Sequence, residues 1–450
     1  MKIVDFRCTL IGPYPVLRLV TDVGIDGFSQ AESSKGDNPG AVNIVPQVMV
    51  YKPMVLGCDP TDVQRVVEQI RRMGGFKPWG AAVSMIEVAC LDIAGKALGC
   101  PVYKLLGGKV RDRVRVYNGN LRPPIAACAP GDVGALAEAY AANTREMRES
   151  EEGFTIIKQG ITFHSGMPAQ LSDGTKEYYY GDSTEAMRYA NRGVLTEAGF
   201  NATVDIVKAM KAELGDEVGL ALDCGPGLMP SDLLRLAVEL EPLHLLWMED
   251  AITGDYTPFV SADVYKEVTR QTTTPIHTGE QIYLRENFKE LIETKAVNVL
   301  GPDPLDVGGL FEMKWIAEYA DLHGLQFAPH GTVDGLLGLA AEVQLAASLP
   351  QNYIAFEYCG CKQDLPGGVT NGAGVPNFWF DILDGLPETI VRGGFIDVAD
   401  WERPGLGLTF NAKARAHLRA GEEAFFDPVL PAVSDGVRAK FAAGRLAPKL

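Results

Sequence analysis

The chain has 450 residues, of which 46% are apolar and 22% charged, with a formal net charge of −17. That size holds one barrel-sized domain plus a smaller one, and the acidic excess argues against nucleic acid or an anionic membrane as a partner. The opening MKIVDFRCTL lacks a basic and apolar leader pattern, no run approaches the ~18 apolar residues of a membrane span, and eight scattered cysteines suit reduced thiols, so a cytoplasmic protein is expected.

Residues 2–10 and 16–20 alternate apolar and polar around the turn marked by Gly24 and Gly27, which predicts a small antiparallel sheet. The polar loop from Glu32 to Pro39 reads as a solvated hairpin tip, with reach over a substrate as the alternative. Residues 61–73 and 79–99 read as helices. The second is apolar on nearly all sides, which predicts burial between two domains, and Gly99 and Pro101 stop it. A first barrel strand is expected near Val116–Asn120 and a second at Thr155–Gln159, with Lys158 at its end.

Residues 160–200, with three consecutive tyrosines from Tyr178, are too long for an ordinary connection and read as a lid or oligomer contact. Helical patterns follow at 201–214, 231–240, 261–271, 286–294, 310–323 and 333–348, with Ser231 and Ser261 as N-caps. Strands near 218, 245, 276, 297, 325 and 354 alternate with them, bringing the total to eight. After about residue 365 the chain is rich in Gly and Pro. Strands at 388–391 and 395–398, the Pro404–Leu408 turn and a helical tail are expected to rejoin the N-terminal sheet as a split second domain. The division is therefore 1–115, a catalytic barrel over 116–385, and a returning segment over 386–450. Cys359 and Cys361 read as adjacent thiols rather than a metal site.

Six short apolar segments each run into one polar residue of catalytic type: Asp223, Glu249, Glu280, Asp303, His330 and Glu357. Their spacing of 23 to 31 residues is that of successive βα units, whose strand ends converge on the top face of a parallel barrel. Asp223, Glu249 and Glu280 offer only carboxylate oxygens. Such a set suits a hard cation, Mg²⁺ by default with Mn²⁺ as a substitute, and leaves about half of an octahedral shell free. His277 lies three residues before Glu280, so on a regular strand it faces the other way and reads as a packing residue. A carboxylate on one nitrogen of His330 makes the other a general base, which pairs Asp303 with His330. Glu357, among other carboxylates, reads as a neutral donor to a developing oxyanion. Arg122 and His164 are candidates for gripping the substrate.

The stretch CLDIAGKALGCPVYKLLGGKVRD from Cys90, followed in order by GFTIIK, LALD, WMED, TGE, PDPLDVGGL, APHG, FEY and PGLGL, resembles the enolase superfamily in its mandelate racemase subgroup. The likeness covers nearly the whole chain. It implies an α/β fold, a modified TIM barrel of (β/α)7β form with an α+β capping domain built from both termini. It also implies Mg²⁺ on Asp223, Glu249 and Glu280, a His330–Asp303 dyad, and Lys158 with Glu357 beside an enediolate. Racemases of this subgroup carry a second base two residues after the lysine, where this chain has Gly160. Some sugar-acid dehydratases carry a histidine two residues after the first metal ligand, where it has Gly225.

One dominant base suits β-elimination, so the expected activity is a hydro-lyase acting on an aldonic or aldaric acid to give a 2-keto-3-deoxy acid. Racemisation, epimerisation or cycloisomerisation of another carboxylate is the alternative. Metal-dependent hydrolysis would call for a histidine-rich ligand set, and a non-catalytic binding protein would have lost a ligand or the dyad. The long 160–200 loop loosely resembles that of mannonate dehydratases, which lack this Asp–His pairing. The expected partners are a small carboxylate substrate and further copies of the chain, from dimer to octamer.

Overall fold

A computed structural model describes residues 1–12, 14–31, 39–73, 80–119, 125–173, 177, 178, 180, 194–225, 227–252, 261–331, 335–358 and 378–429. Arg122, Cys359, Cys361, most of the Glu32–Pro39 loop and the centre of the 160–200 loop lie outside them. Three N-terminal strands, β1 (Ile3–Ile11), β2 (Tyr14–Thr21) and β3 (Asp26–Gln30), form an antiparallel sheet in that order. Helix Gly80–Leu98 lies against β3 and is buried without interruption from Ala82 to Gly95, as its all-round apolar pattern requires.

The barrel strands are β4 (Arg113–Asn118), β5 (Ile156–Gly160), β6 (Gly219–Asp223), β7 (Trp247–Glu249), β8 (Ile276–Thr278), β9 (Val299–Leu300), β10 (Gln326–Phe327) and β11 (Phe356–Tyr358). Each pairs in parallel with its sequence neighbour from β4 to β10, and β11 pairs in parallel with β4. Phe327 bridges to Tyr353 just before β11, which closes the ring. Parallel neighbours need a crossover between them. The described crossovers carry helices Val133–Arg148, Glu197–Leu214, Pro230–Glu239, Ala262–Thr269, Arg285–Glu293, Leu310–Leu322 and Leu336–Ala346, one for each of the seven gaps. Tyr117, Ile156, Ala221, Trp247, Val299, Ala328 and Ala355 fill the interior beneath the top face. Among the described residues no helix is long and apolar enough to cross a membrane.

The C-terminal segment differs in detail from the sequence expectation. Residues 388–391 form no strand, and β13 (Phe395–Asp397) pairs antiparallel with Arg113–Arg115 of β4 instead of joining the N-terminal sheet. The register explains this: β11 meets β4 only from Val116 onward, so the lower half of β4 has a free edge. The guanidinium groups of Arg113 and Arg115 cover the Phe395 ring at 4.7 and 5.0 Å. Strand β12 (Leu383–Asp384) pairs with β14 (Thr409–Phe410) as a two-stranded ribbon.

Contact with the N-terminal sheet comes later in the segment. Asp92 of the long helix accepts from Phe28 N at 3.0 Å and from Leu406 N at 2.9 Å, so one buried carboxylate ties both ends of the chain to that helix. Arg18 donates to the carbonyl of Phe425 at 2.6 Å. Ser231 is not an N-cap, because Pro230 already opens that helix and Met229 stands at the cap, whereas Ser261 does hold the cap position. Tyr178 is core: its hydroxyl lies 2.7 Å from Thr203 Oγ1, while Tyr180 is exposed.

Glu87, on the long helix, reaches into the barrel and accepts from the Leu310 N–H at the start of helix Leu310–Leu322. Burial pushes its carboxyl up to about 8, against the lowering pull of that N–H. The folded protein therefore holds a proton that the unfolded chain releases in the ordinary carboxylate range. Stability should fall as pH rises from that range through about 8. Glu87→Gln should flatten this dependence and raise the thermal midpoint most above pH 8. Parallel midpoint curves for the two proteins between pH 5 and 9 would show that Glu87 is not the group responsible.

Candidate active site

The C-terminal ends of the barrel strands bring the predicted residues together. Asp223 ends β6 and Glu249 ends β7, side by side in register. Glu280 stands two residues beyond β8, after Gly279 turns the chain at φ +146°. Asp303 and His330 each lie three residues beyond their strands, and Glu357 is within β11. Ligand oxygens of Asp223, Glu249 and Glu280 all lie within 4.8 Å of one another. Three hard oxygen donors at that mutual distance, on a mouth already rich in negative charge, fit a divalent cation of the Mg²⁺ type.

Lys158, on β5, is buried at the centre of the cluster. Its Nζ lies 2.7 Å from Glu249 Oε1, 3.1 Å from Glu357 Oε2 and 3.4 Å from Asp223 Oδ2. Burial alone would favour the neutral amine, but Glu249 and Glu357, with Tyr117 and Asp223 behind them, hold the ammonium well above its ordinary range. Glu357 Oε2 thus faces a cationic donor and accepts from it. Gly119 makes room for this arrangement, since a Cβ there would meet Glu357 Oε1 at 1.8 Å. Asp223, despite its burial, is held below the usual carboxylate range by His164, Lys158 and the Gly225 N–H.

His330 Nδ1 lies 2.8 Å from Asp303 Oδ2, and Asp303 Oδ1 accepts from Leu305 N at 2.6 Å. An ionised carboxylate only accepts, so Nδ1 carries the proton and Nε2 is left facing the site. From there Nε2 lies 3.5 Å from Glu357 and 3.7 Å from Glu280. Burial opposes the imidazolium, but Glu280, Glu357 and Asp303 outweigh it and make this histidine strongly basic.

Two residues missed in the sequence support the triad. Trp247 donates from Nε1 to Glu249 Oε2 at 2.8 Å and stacks on His277 at 5.4 Å. His277 is a packing residue, but not for the reason given. Glu280 lies off the strand, and His277 points into the barrel, with Nδ1 3.7 Å from Glu249 and Nε2 3.1 Å from the Ala328 carbonyl. The signal for Trp247 was available, because residues i and i+2 of a strand share a face. His164 lies with Nδ1 3.2 Å from Asp223 Oδ1, beside the carboxylate triad.

Fold and site together define a capped-barrel enzyme with a carboxylate triad that could hold a cation at its mouth and a hydrogen-bonded histidine–aspartate pair beside it. Residues 139–414 match the family described as enolase C-terminal domain-like, and residues 9–107 match the mandelate racemase/muconate lactonizing enzyme N-terminal domain. The chain belongs to the mandelate racemase/muconate lactonizing enzyme family of the enolase superfamily. It is 31% identical over 438 residues to D-xylonate dehydratase of Haloferax volcanii, covering 94% of this chain and 90% of that protein. Against D-galactonate dehydratase of Variovorax paradoxus it is 25% identical over 433 residues, covering 95% and 97%. The crystal structure of a mandelate racemase/muconate lactonizing enzyme-like protein from Rubrobacter xylanophilus superposes with a TM-score of 0.74 at 29% identity, covering 93% of this chain and 98% of that one.

Trp247→Phe keeps the ring stack and removes the bond to Glu249. Affinity for Mn²⁺, read by titration, should fall roughly tenfold, as for other residues that orient metal ligands. Unchanged affinity would mean that Glu249 needs no such support.

Proposed function

We propose that the protein is a Mg²⁺-dependent dehydratase of a sugar acid, an aldonate or aldarate, that forms a 2-keto-3-deoxy acid. The observation that carries this reading is His330, backed by Asp303 and facing the carboxylate triad across Lys158 and Glu357. The named activities of the D-xylonate and D-galactonate dehydratases point the same way.

Mg²⁺ held by Asp223, Glu249 and Glu280 would supply the positive charge that acidifies the proton α to the substrate carboxylate. His330 Nε2 takes that proton as the C2–H bond breaks, and the electron pair moves into the carboxylate to give an enediolate. Lys158, buried and fixed by Glu249 and Glu357, sets an ammonium beside the developing oxyanion. Asp303 steadies the imidazolium so formed. The C3–O bond then breaks as the C2=C3 bond forms, His330 returns its proton to the departing hydroxyl, and water leaves. The resulting enol rearranges to the keto acid. Gly160, where a second lysine would stand, leaves a one-base elimination favoured over racemisation.

Purified protein with Mg²⁺, screened against aldonic and aldaric acids with semicarbazide trapping, should form a 2-keto acid from at least one of them. No product across the set, together with deuterium uptake at the α carbon of another carboxylate, would replace dehydration with epimerisation. His330→Asn should lower turnover by about three orders of magnitude or more, as expected for loss of a general base, while cation affinity stays near wild type. Dehydration at the wild-type rate would remove His330 from this role.

A further inference from the structure

His164 reaches the site by a route that no strand end prescribes. After β5 the chain turns through Thr162, a buried non-glycine residue at φ +46°. A β-branched residue in that region is strained and persists only where its surroundings enforce it. Here they do. Ile161 N donates to the Asp223 carbonyl at 2.8 Å, Thr162 Oγ1 to the Cys224 carbonyl at 2.6 Å, and His164 N to the same carbonyl at 3.1 Å. The turn is bolted to the exit of β6 and delivers its imidazole against Asp223.

Two glycines make room for His164, one at its imidazole and one at its backbone. A Cβ at Gly160 would meet His164 Cδ2 at 2.8 Å, and one at Gly225 would meet the His164 backbone N and Cα at 2.8 Å. Gly225 also sits at φ +55°, where any side chain is strained. Gly160 ends β5 and Gly225 stands two residues beyond β6, and what they share is the space His164 fills. In the eight-strand ring β5 lies three places from β10, so His164 and His330 stand nearly across the mouth from each other. Nδ1 of His164 faces a carboxylate, which accepts only, so in the neutral imidazole the proton sits on Nδ1 and Nε2 presents the lone pair. The side chain is 23% exposed, and no described residue bonds Nε2.

We propose that His164 is a specificity-determining residue of this site, seated in a socket kept open by Gly160 and Gly225, whose Nε2 accepts a hydrogen bond from a hydroxyl of the substrate chain on the face opposite His330. The ligand class this implies is an acyclic polyhydroxy acid with a hydroxyl beyond C2 directed toward the Asp223 side. This rests on the sugar-acid reading above.

The first test needs no substrate. Gly160→Ala should lower the unfolding midpoint in the wild-type background and cost nothing in a His164→Ala background, because the ring it would strike is gone. Equal losses in both backgrounds would overturn the socket. The second test compares sugar acids that are epimeric at one hydroxyl. Wild type should discriminate between such a pair by roughly tenfold or more in kcat/KM, as a site that bonds a substrate hydroxyl does. His164→Ala should bring the pair to within about threefold, and His164→Gln, which restores an acceptor, should recover part of the preference, with Mn²⁺ affinity held within about threefold throughout. Unchanged discrimination in His164→Ala overturns the proposal. So does a loss of Mn²⁺ affinity equal to the loss in kcat/KM, which would assign the residue to Asp223 alone. If wild type turns over no sugar acid, the sugar-acid reading and with it the hydroxyl contact fall, while the Gly160 cycle still decides the socket.

Discussion

Lys158 stands within 3.4 Å of Asp223, Glu249 and Glu357, and that contact lets five acidic side chains share the mouth of one barrel. Carboxylates this close and this poorly hydrated repel strongly, since the surrounding medium screens them less than water does. One ammonium between three of them offsets part of that repulsion. A divalent cation on Asp223, Glu249 and Glu280 would offset more. The remaining pair, Asp303 and Glu357, is balanced by His330. The arrangement is therefore one of mutual dependence, in which each charge is held in place by the groups that it neutralises.

The rest of the barrel serves that arrangement. Parallel strands in register set Asp223 beside Glu249, and the same register sets Trp247 and His277 beneath them as a polar floor. That floor fixes the inner oxygen of Glu249, so its outer oxygen is free to face Lys158. On the other side of the fold, Asp92 binds the first sheet, the long helix and the C-terminal return through backbone N–H groups, and Glu87 joins the same helix to the barrel. The cap and the barrel are thus connected by buried, directional bonds as well as by apolar packing.

The two glycines at 160 and 225 have a different meaning in the sequence and in the structure. In the sequence they read as missing side chains, a second lysine and a histidine that the family resemblance would place there. In the fold both spaces are taken by His164, arriving from the strained turn after β5, with its imidazole at Gly160 and its backbone at Gly225. The face opposite His330 is consequently supplied by a residue whose position along the chain has no fixed relation to the strand ends. The two histidines can then vary independently, because they follow separate strands of the ring.

Much of this was legible in the sequence for a simple reason. A regular βα period puts strand-end residues on one face whatever the details of packing, so Asp223, Glu249, Glu280, Asp303, His330 and Glu357 declared themselves by spacing alone. Composition and periodicity also settled the buried long helix and the eight strands. What depended on several strands at once was not legible. The orientation of His277 followed from where β8 ends, the partner of Phe395–Asp397 from how far β11 runs along β4, and the acceptor role of Glu357 from the position of Lys158. The sequence by itself determined which chemical groups reach the top of the barrel, since local periodicity dictates that. Only the tertiary structure decided how those groups pair and which space His164 occupies, because charge pairing and steric exclusion act between residues far apart in the chain.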